Sequence, residues 1–337
     1  DVYKRQQQGY DCDGAMLKLA PNEDSRCCSA DDAEDARQAA TRLGMRFYVF
    51  NETDRFRRCV MDRFTAEYAA GRTPNPCIDC NRELKFGALL DRALTLGYDY
   101  IATGHYARVA YDAESGRYRL LRGAERRKDQ SYVLYQLTQH QLAHLLLPVG
   151  DYDKPAIRDK AREAGLDNAD KGDSQDICFV PDRDYAKFME DFTGKHYPPG
   201  DFLDENGSRV GTHQGAVRYT IGQRKGLGLA MGAPVYVCAK DMQANTVTVG
   251  PEDALFDRVV YADEVNWISV PGLTEPLRVT ARTRYHQVEQ PATVFPAEGG
   301  FRLEFDQPQR APTPGQAVVL YQGDVVLGGG TITSVER

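Results

Sequence analysis

The sequence lacks the features that mark secreted and membrane proteins. Only 8 of its 337 residues are cysteine, which is too few for a scaffold held together by disulfides. No apolar run approaches the roughly 18 residues that a membrane-spanning helix needs, and no secretory leader is recognisable. We therefore expect a cytoplasmic protein that makes no membrane contact.

The sequence also lacks an excess of positive charge. It has 42 Lys and Arg against 49 Asp and Glu, a formal net charge of −7. Any binding of nucleic acid must therefore rely on local basic patches. The length is sufficient for two or three domains.

The first part of the chain alternates helical and strand patterns. Helices are predicted at residues 54–70, 81–94 and 131–146, among others, and short apolar strands at 46–51 and 98–103. This alternation favours a doubly wound parallel sheet, which is an α/β fold.

After about residue 197 glycine and proline become frequent, and apolar residues alternate with polar ones. This pattern is typical of small β-domains, here one linking domain followed by a barrel or sandwich. The predicted domains are residues 1–196, 197–256 and 257–337.

Residues 77–80 (CIDC) form a C-x-x-C motif, for which three interpretations compete. A zinc site needs a second pair of ligands, and the sequence has no second C-x-x-C, so no bound metal is expected. A thioredoxin-type redox pair usually opens a helix after a strand, whereas the proline-rich loop 72–76 precedes this one. The third interpretation is a nucleophile at a helix N-terminus, where backbone amides and the nearby Arg72, Arg82 and Lys85 lower the thiol pKa.

The second cysteine of interest is Cys178, which lies in the polar segment DSQDICF (173–179). A core cysteine normally has apolar neighbours. Ile177 and Phe179 supply some, so an inert core cysteine remains an alternative.

The residues Thr103-Gly104-His105-Tyr106 follow a predicted strand of the parallel sheet. Ligands of such sheets bind beyond the carboxyl ends of the strands. Gly104 would let a nucleotide approach the backbone closely, and His105 could contact ligand or RNA. An ordinary turn is the alternative.

Three basic stretches include or adjoin aromatic or polar residues, a combination that suits RNA recognition although each stretch alone would suit a solvated surface. They are Arg117, Arg119, Arg122, Arg126, Arg127 and Lys128, leading into Asp129-Gln130; Arg218, Arg224 and Lys225 around Tyr219; and Arg278, Arg282 and Arg284 beside Tyr285 and His286.

Six segments carry a resemblance to a known family. They are RTPNPCIDCNRELKFG (72–87), YIATGHYARV (100–109), KDQSYVLYQLT (128–138), KGDSQDICFVP (171–181), YTIGQRKGLGL (219–229) and VNWI (265–268). Together they resemble the tRNA-specific 2-thiouridylase family, over nearly the whole chain from Gly9 to Arg337.

The resemblance implies a PP-loop-type α/β catalytic domain, two small mainly-β domains with a β-barrel last, and an ATP-dependent sulfurtransferase. It implies that ATP, with Mg²⁺, adenylates the C2 oxygen of the wobble uridine (U34) of tRNA, and that a persulfide then supplies sulfur. The implied partners are tRNA and a protein that donates persulfide sulfur. The residues leave open which tRNAs are modified and whether the persulfide attacks directly or first releases sulfide.

The resemblance also assigns roles to single residues. Cys178 matches the persulfide-bearing cysteine and Cys80 the other catalytic cysteine, with a disulfide between them as the product. Met16 and Gly104 match ATP-contacting positions. The remaining matches are to positions that contact the target base or the tRNA: Asn75, Pro76, Cys77, His105, Lys128, Asp129, Gln130, Arg284, Tyr285 and Gln316.

The sequence departs from the family at the phosphate-binding loop, a serine–glycine–glycine–x–aspartate–serine run that is absent here. We expect that the first strand and this loop are missing, that ATP binds poorly and that the parallel sheet lacks a strand. A tRNA-binding protein with impaired catalysis is therefore the alternative to an active enzyme, and a zinc protein using Cys77 and Cys80 is a third hypothesis.

Overall fold

The N-terminal part of the chain folds as helices packed around short parallel strands. The computed structural model describes residues 9–19, 30–166, 177–180, 182 and 184–337. The helices are α1 (Ala30–Arg42), α2 (Thr53–Phe56, Arg57–Met61 and Asp62–Ala69 in one run), α3 (Pro76–Asp79, Cys80–Ala88 and Leu89–Thr95 in one run), α4 (Gln139–Ala143), α5 (Lys154–Glu163) and α6 (Tyr185–Thr193). The middle segments of α2 and α3 are π-helical. Within these ranges no helix is long and apolar enough to cross a membrane.

This part contains six strands, of which four form two parallel pairs and two form an antiparallel hairpin. They are β1 (Gly14–Lys18), β2 (Phe47–Asn51), β3 (Ile101–Ala102), β4 (Ala107–Asp112), β5 (Arg117–Arg122) and β6 (Leu145–Leu146). β1 pairs with β2 and β3 pairs with β6, and among the described residues no strand joins the two pairs. The predicted parallel α/β arrangement is therefore confirmed, in two separate pieces.

One helix prediction was wrong. Residues 131–146 form a 3₁₀ turn, then α4 and then β6 rather than one helix. Thr138 begins α4 with a capping box to Gln141, which separates α4 from the 3₁₀ turn. Tyr132, Leu134 and Tyr135 are all buried, so this stretch has no polar face that would mark an amphipathic helix.

The remaining strands form a middle sheet and a C-terminal barrel. They are β7 (Gly200–Leu203), β8 (Arg209–His213), β9 (Tyr236–Asp241), β10 (Thr246–Gly250), β11 (Phe256–Trp267), β12 (Leu277–Arg282), β13 (Gln290–Ala297), β14 (Gly300–Arg310), β15 (Ala317–Gln322) and β16 (Val325–Glu336). The middle sheet has the order β8-β7-β10-β9. Six strands, β11-β14-β13-β12-β15-β16, close into a barrel through the pairing of β11 with β16.

The barrel is joined directly to the α/β part. The hairpin β4–β5 extends the barrel sheet, because Leu120 and Leu121 of β5 pair with β16. One hydrophobic cluster also contains Phe86 of α3 together with Val319 and Tyr321 of the barrel. The cysteine-bearing helix therefore packs against the barrel.

Candidate active site

The C-x-x-C motif lies in the first two turns of α3. Asn75 caps the helix, since its side-chain oxygen accepts a hydrogen bond from the Cys77 amide at 3.2 Å, and Pro76 occupies the first turn. The helix therefore begins five residues before the predicted start. Cys77 is exposed on the first turn, whereas Cys80 is buried.

Two of the basic residues near the motif are bound to carboxylates. Arg72 pairs with Glu67, and Arg82 pairs with Asp79 at 3.3 Å and with Glu83 at 2.9 Å. Carboxylates therefore lie beside both guanidinium groups, and the expectation that Arg72, Arg82 and Lys85 lower a cysteine pKa stays a prediction.

Cys178 is held in place by the residue that follows it. Phe179 is buried and packs edge-to-face on Phe64 of α2, with ring centroids 5.2 Å apart, and also against Phe188 of α6. The Val180 amide donates to the Ile177 carbonyl, which closes a tight turn around Cys178. The polar segment 171–176 that precedes this turn lies outside the described residues.

Both predicted cysteines contact the same hydrophobic cluster, although 98 positions separate them in the sequence. Cys80 is a buried member of this cluster, and Cys178 is a partly buried side chain packed against it. Phe56, Phe64 and Leu84 form part of the cluster. The fold thus brings the two thiols to one region, which no local sequence signal required.

The barrel holds the loop that leads into α3. The Thr73 amide donates to the Pro314 carbonyl at 2.9 Å, and the Gln316 side chain donates to the Thr73 carbonyl at 2.6 Å. Gly315 packs so closely that an added Cβ would lie 2.8 Å from the Thr73 nitrogen. Gln316, expected to contact tRNA, therefore also positions the loop beside Cys77.

Tyr285 brings several of the predicted tRNA-contacting residues together. Burial raises the pKa of its phenol, and the nearby Asp129 and Cys77 act in the same direction, whereas a hydrogen bond with Gln130 lowers it. Gln130 itself is bonded in both directions to the Tyr106 backbone, at 2.9 Å each. Tyr285 of the barrel thus lies between the Asp129–Gln130 turn and the exposed thiol of α3.

Asp129 is a buried structural anion in this arrangement. Its carboxylate accepts hydrogen bonds from the Gly123 and Ser131 amides, both at 3.1 Å, and pairs with Arg282 at 3.3 Å. The preceding Lys128 is only partly buried. Arg284 donates to the Ala311 carbonyl on the barrel.

His105 is buried behind this surface rather than exposed on it. Its side chain accepts or donates a hydrogen bond with the Thr103 hydroxyl at 2.8 Å and packs on Phe86. Burial, and secondarily the charge of Lys85, lowers the pKa of His105 to about 3. The ring is therefore neutral at physiological pH.

An open cleft of about 660 Å³ lies beside Tyr285, between the barrel and the β4–β5 hairpin. Four arginines line it, Arg122, Arg126, Arg127 and Arg282, opposite Asp129, Glu289 and Asp324. Arg122 and Arg282 are buried and both pair with Glu289. Two of the three predicted basic stretches thus meet in space, but carboxylates lie beside their arginines.

The two residues predicted to contact ATP lie on the parallel strands. Met16 is a partly buried residue of β1, and Gly104 is exposed just beyond the carboxyl end of β3. Gly104 thus lies where ligands of parallel sheets bind, whereas Met16 is the central residue of its strand, and contact of either with ATP stays a prediction. No glycine-rich loop that would hold its phosphates is found in the described ranges.

Metal ligands are not grouped in the part of the chain that the structure describes. There, no set of three or more His, Cys, Asp or Glu side chains is placed to hold a metal ion.

Sequence reasoning missed two features of this region. One is the anchoring of Cys178 by the packing of Phe179. The aromatic residue directly after the cysteine was the sequence feature that could have indicated it. The other is Glu289, which joins the two buried arginines of the cleft. No local pattern distinguishes Glu289 from a surface glutamate.

The order of domains defines the class of this protein. Three family models match in succession: "tRNA methyl transferase HUP domain" over residues 2–182, "tRNA methyl transferase PRC-barrel domain" over 186–251 and "Aminomethyltransferase beta-barrel domain" over 257–332. The chain is thus a three-domain protein in which a HUP-type α/β domain precedes two β-domains.

Comparison with curated proteins gives the particular family. The chain is 52% identical over 336 residues to the tRNA-specific 2-thiouridylase MnmA of Moorella thermoacetica, covering 98% of this chain and 94% of that protein. It is 48% identical to the proteins of the same name from Acetivibrio thermocellus and Heliobacterium modesticaldum, covering 97% of this chain and 93% and 87% of theirs. The chain therefore belongs to the tRNA-specific 2-thiouridylase family, which confirms the resemblance found in the sequence.

Proposed function

We propose that this protein transfers sulfur from a persulfide on Cys178 to C2 of the wobble uridine (U34) of tRNA, with Cys80 as the second thiol. The observation that carries the proposal is that both cysteines contact one hydrophobic cluster despite their separation in sequence. A thiol pair that must exchange sulfur has to meet through the fold.

The electron balance of the transfer needs both cysteines. The outer sulfur of the Cys178 persulfide forms a bond to C2, and the oxygen at C2 departs. The Cys80 thiolate then attacks the inner sulfur of Cys178, and the S–S bond breaks with its electron pair left on the transferred sulfur. The products are thiouridine and a Cys80–Cys178 disulfide, which an external dithiol reduces. Prior release of sulfide by Cys80 would end in the same disulfide.

ATP is the cosubstrate in this proposal. When bound, with Mg²⁺, it would supply the adenylate that makes the C2 oxygen a leaving group. Met16 and Gly104 would lie against the base and sugar. Neither residue carries a charged side chain that would bind the phosphates.

The target base would enter between Cys77 and the barrel. Cys77 is exposed, Asn75 and Pro76 form the helix start, and the partly buried Tyr285 lies close enough to influence Cys77. The base would stack on the Tyr285 ring. The arginine-lined cleft next to Tyr285 would receive the phosphates that flank the base. Gln130 hydrogen-bonds with Tyr285, and Arg284 directly precedes Tyr285 in the sequence. Both would contact the RNA together with Lys128, whereas the buried Asp129 and His105 would shape this surface.

The partners follow from this chemistry. Transfer RNA is the substrate, and a separate protein must deliver persulfide sulfur to Cys178. We place the reaction in the cytoplasm.

The experiment compares Cys178→Ser and Cys80→Ser with a matched control, Cys59→Ser. Cys59 packs against the same cluster and tests whether loss of any thiol there matters. With tRNA, ATP and a persulfide donor, both site variants should lose thiolation by at least about 10³-fold while binding tRNA normally, and the control should stay active. Thiolation by Cys178→Ser would contradict the proposed role.

The alternative is a tRNA-binding protein with impaired catalysis. Normal tRNA binding by the unsubstituted chain, without ATP-dependent thiolation, would select this alternative.

A further inference from the structure

A small polar cavity separates the cysteine helix from the barrel. It measures about 20 Å³, room for about one water molecule. Arg63 of α2, Asp79 and Arg82 of α3, and Glu264 and Thr331 of the barrel line it. Charged side chains from three separate elements therefore meet at one point.

Arg63 joins the helices to the barrel at this cavity. Its guanidinium lies 3.5 Å from Asp79 and also pairs with Glu264. Arg82 approaches the second oxygen of Asp79 at 3.3 Å, and Glu264 accepts a hydrogen bond from the Thr331 hydroxyl at 3.0 Å. Because the Asp79 side chain is only 9% exposed, it depends on these partners for its charge.

The barrel presents Glu264 in an unfavourable backbone conformation. Glu264 has φ +46°, a left-handed value that non-glycine residues rarely adopt. It lies where the register between β11 and β16 shifts, between Asp263 and Asn266. The Gln136 side chain donates to the Glu264 carbonyl at 3.1 Å, and Asn266 donates to the Tyr135 carbonyl at 2.7 Å. Such strain persists only where the surroundings enforce it, and it occurs preferentially at functional sites.

Asp79 lies between the two cysteines of the motif in sequence, but its side chain lies on a different side of the helix from that of Cys80. Asp79 faces the cavity and the barrel, whereas Cys80 packs in the cluster that Cys178 contacts. Six residues before Asp79, the loop is also tied to the barrel through the Thr73–Gln316 hydrogen bond. The exposed Cys77 thus lies between two points of attachment to the barrel.

We propose that Asp79 and Glu264 are positioning residues that act through Arg63 to fix the cysteine helix against the barrel. They would set the distance between the sulfur-transferring thiols and the barrel side chains that hold the target base, Tyr285 among them. The inference rests on the proposed thiolation activity and adds residues that touch neither sulfur nor RNA.

The test uses the full chain with the variants Glu264→Gln, Asp79→Asn and both together. Glu304→Gln is the matched control, because Glu304 pairs with Arg302 at 2.9 Å and with Arg258 at 3.5 Å, both within the barrel. Each protein is assayed for tRNA affinity and for the single-turnover rate of thiolation at saturating tRNA. Should Asp79→Asn fail to fold, the half-exposed Glu264 provides the decisive variant.

Misplacement of reacting groups lowers the rate rather than the affinity. Each site variant should therefore lose about tenfold or more in single-turnover rate, with tRNA affinity changed by less than about twofold. The double variant should be no slower than the slower single variant, because both residues act through Arg63. Rates equal to the control, losses that multiply, or a loss confined to affinity would each overturn the proposal. A wild-type chain that does not thiolate would instead contradict the proposed function.

Discussion

Acidification should destabilise this protein through His105. Burial lowers the pKa of His105 from 6.5 to about 3. Between these values the unfolded chain binds a proton that the folded chain does not, so stability falls as the pH is lowered through this range. At pH 5 the loss from this one group is about 2 kcal/mol, since each pKa unit corresponds to about 1.4 kcal/mol.

Asp79 has the opposite effect over part of the same range. Burial raises its pKa from 3.8 to about 6, against the attraction of Arg63 and Arg82. Between pH 3.8 and 6 the folded chain therefore binds the additional proton, and stability from this group rises as the pH is lowered. Its gain by pH 5 is about 1.4 kcal/mol, which masks most of the His105 effect in the unsubstituted protein.

The two effects can be separated by urea unfolding at pH 7, 6 and 5. The side chain of His105→Gln cannot be protonated. Between pH 7 and pH 5 the free energy of unfolding of this variant should therefore fall by about 2 kcal/mol less than that of the unsubstituted protein. The free energy of unfolding of Asp79→Asn should fall by about 1.4 kcal/mol more than that of the unsubstituted protein over the same pH range. If His105→Gln follows the unsubstituted protein to within about 0.5 kcal/mol, the buried and neutral state of His105 is refuted.

Three further substitutions test the placement of the cysteines. Asn75→Ala removes the cap of α3 and should cost about 1 kcal/mol in thermal unfolding. Gly315→Ala should slow thiolation by displacing the loop at Thr73, since Gly315 has φ +89° and leaves no room for a Cβ. Gly323→Ala is the control, because Gly323 also has a positive φ but a Cβ added there would meet no atom within 4 Å. Phe179→Ala should cost about 3–5 kcal/mol by urea unfolding, and an effect below about 1 kcal/mol would mean that Phe179 does not anchor the turn around Cys178.

The sequence predicted the elements of this fold better than the contacts between them. The periodicity of apolar residues predicts the α/β part, the two β-domains and the change from one to the other near residue 197. The helix that carries the C-x-x-C motif was also predicted, but with a late start. The start was placed too late because the two prolines of the loop were taken to exclude a helix. Asn75 in fact caps the helix, and such capping depends on a side-chain geometry that residue spacing does not specify. The fully buried stretch around Tyr132 and Tyr135 was misjudged, since burial on all sides removes the periodicity on which such predictions depend.

The candidate site was predictable only as a set of residues. Cys80 and Cys178 were identified by motif, yet their common cluster is made by aromatic residues of two helices that lie far apart in sequence. The roles of Arg63 and Glu264 depend on the packing of the barrel against α2 and α3, which no single segment encodes. Long-range ion pairs of this kind have no local signature.

The arrangement of α3 explains how the barrel could influence sulfur chemistry without contributing a thiol. One side of the helix holds Cys80 in the cluster that Cys178 contacts, and another side holds Asp79 against the barrel through Arg63. A rigid helix transmits a shift on one side to the other, because its side chains share one hydrogen-bonded backbone. Under the proposed function, docking of RNA on the barrel would be coupled through α3 to the alignment of the two cysteines, and changes at Glu264 should reach Cys80 without touching it.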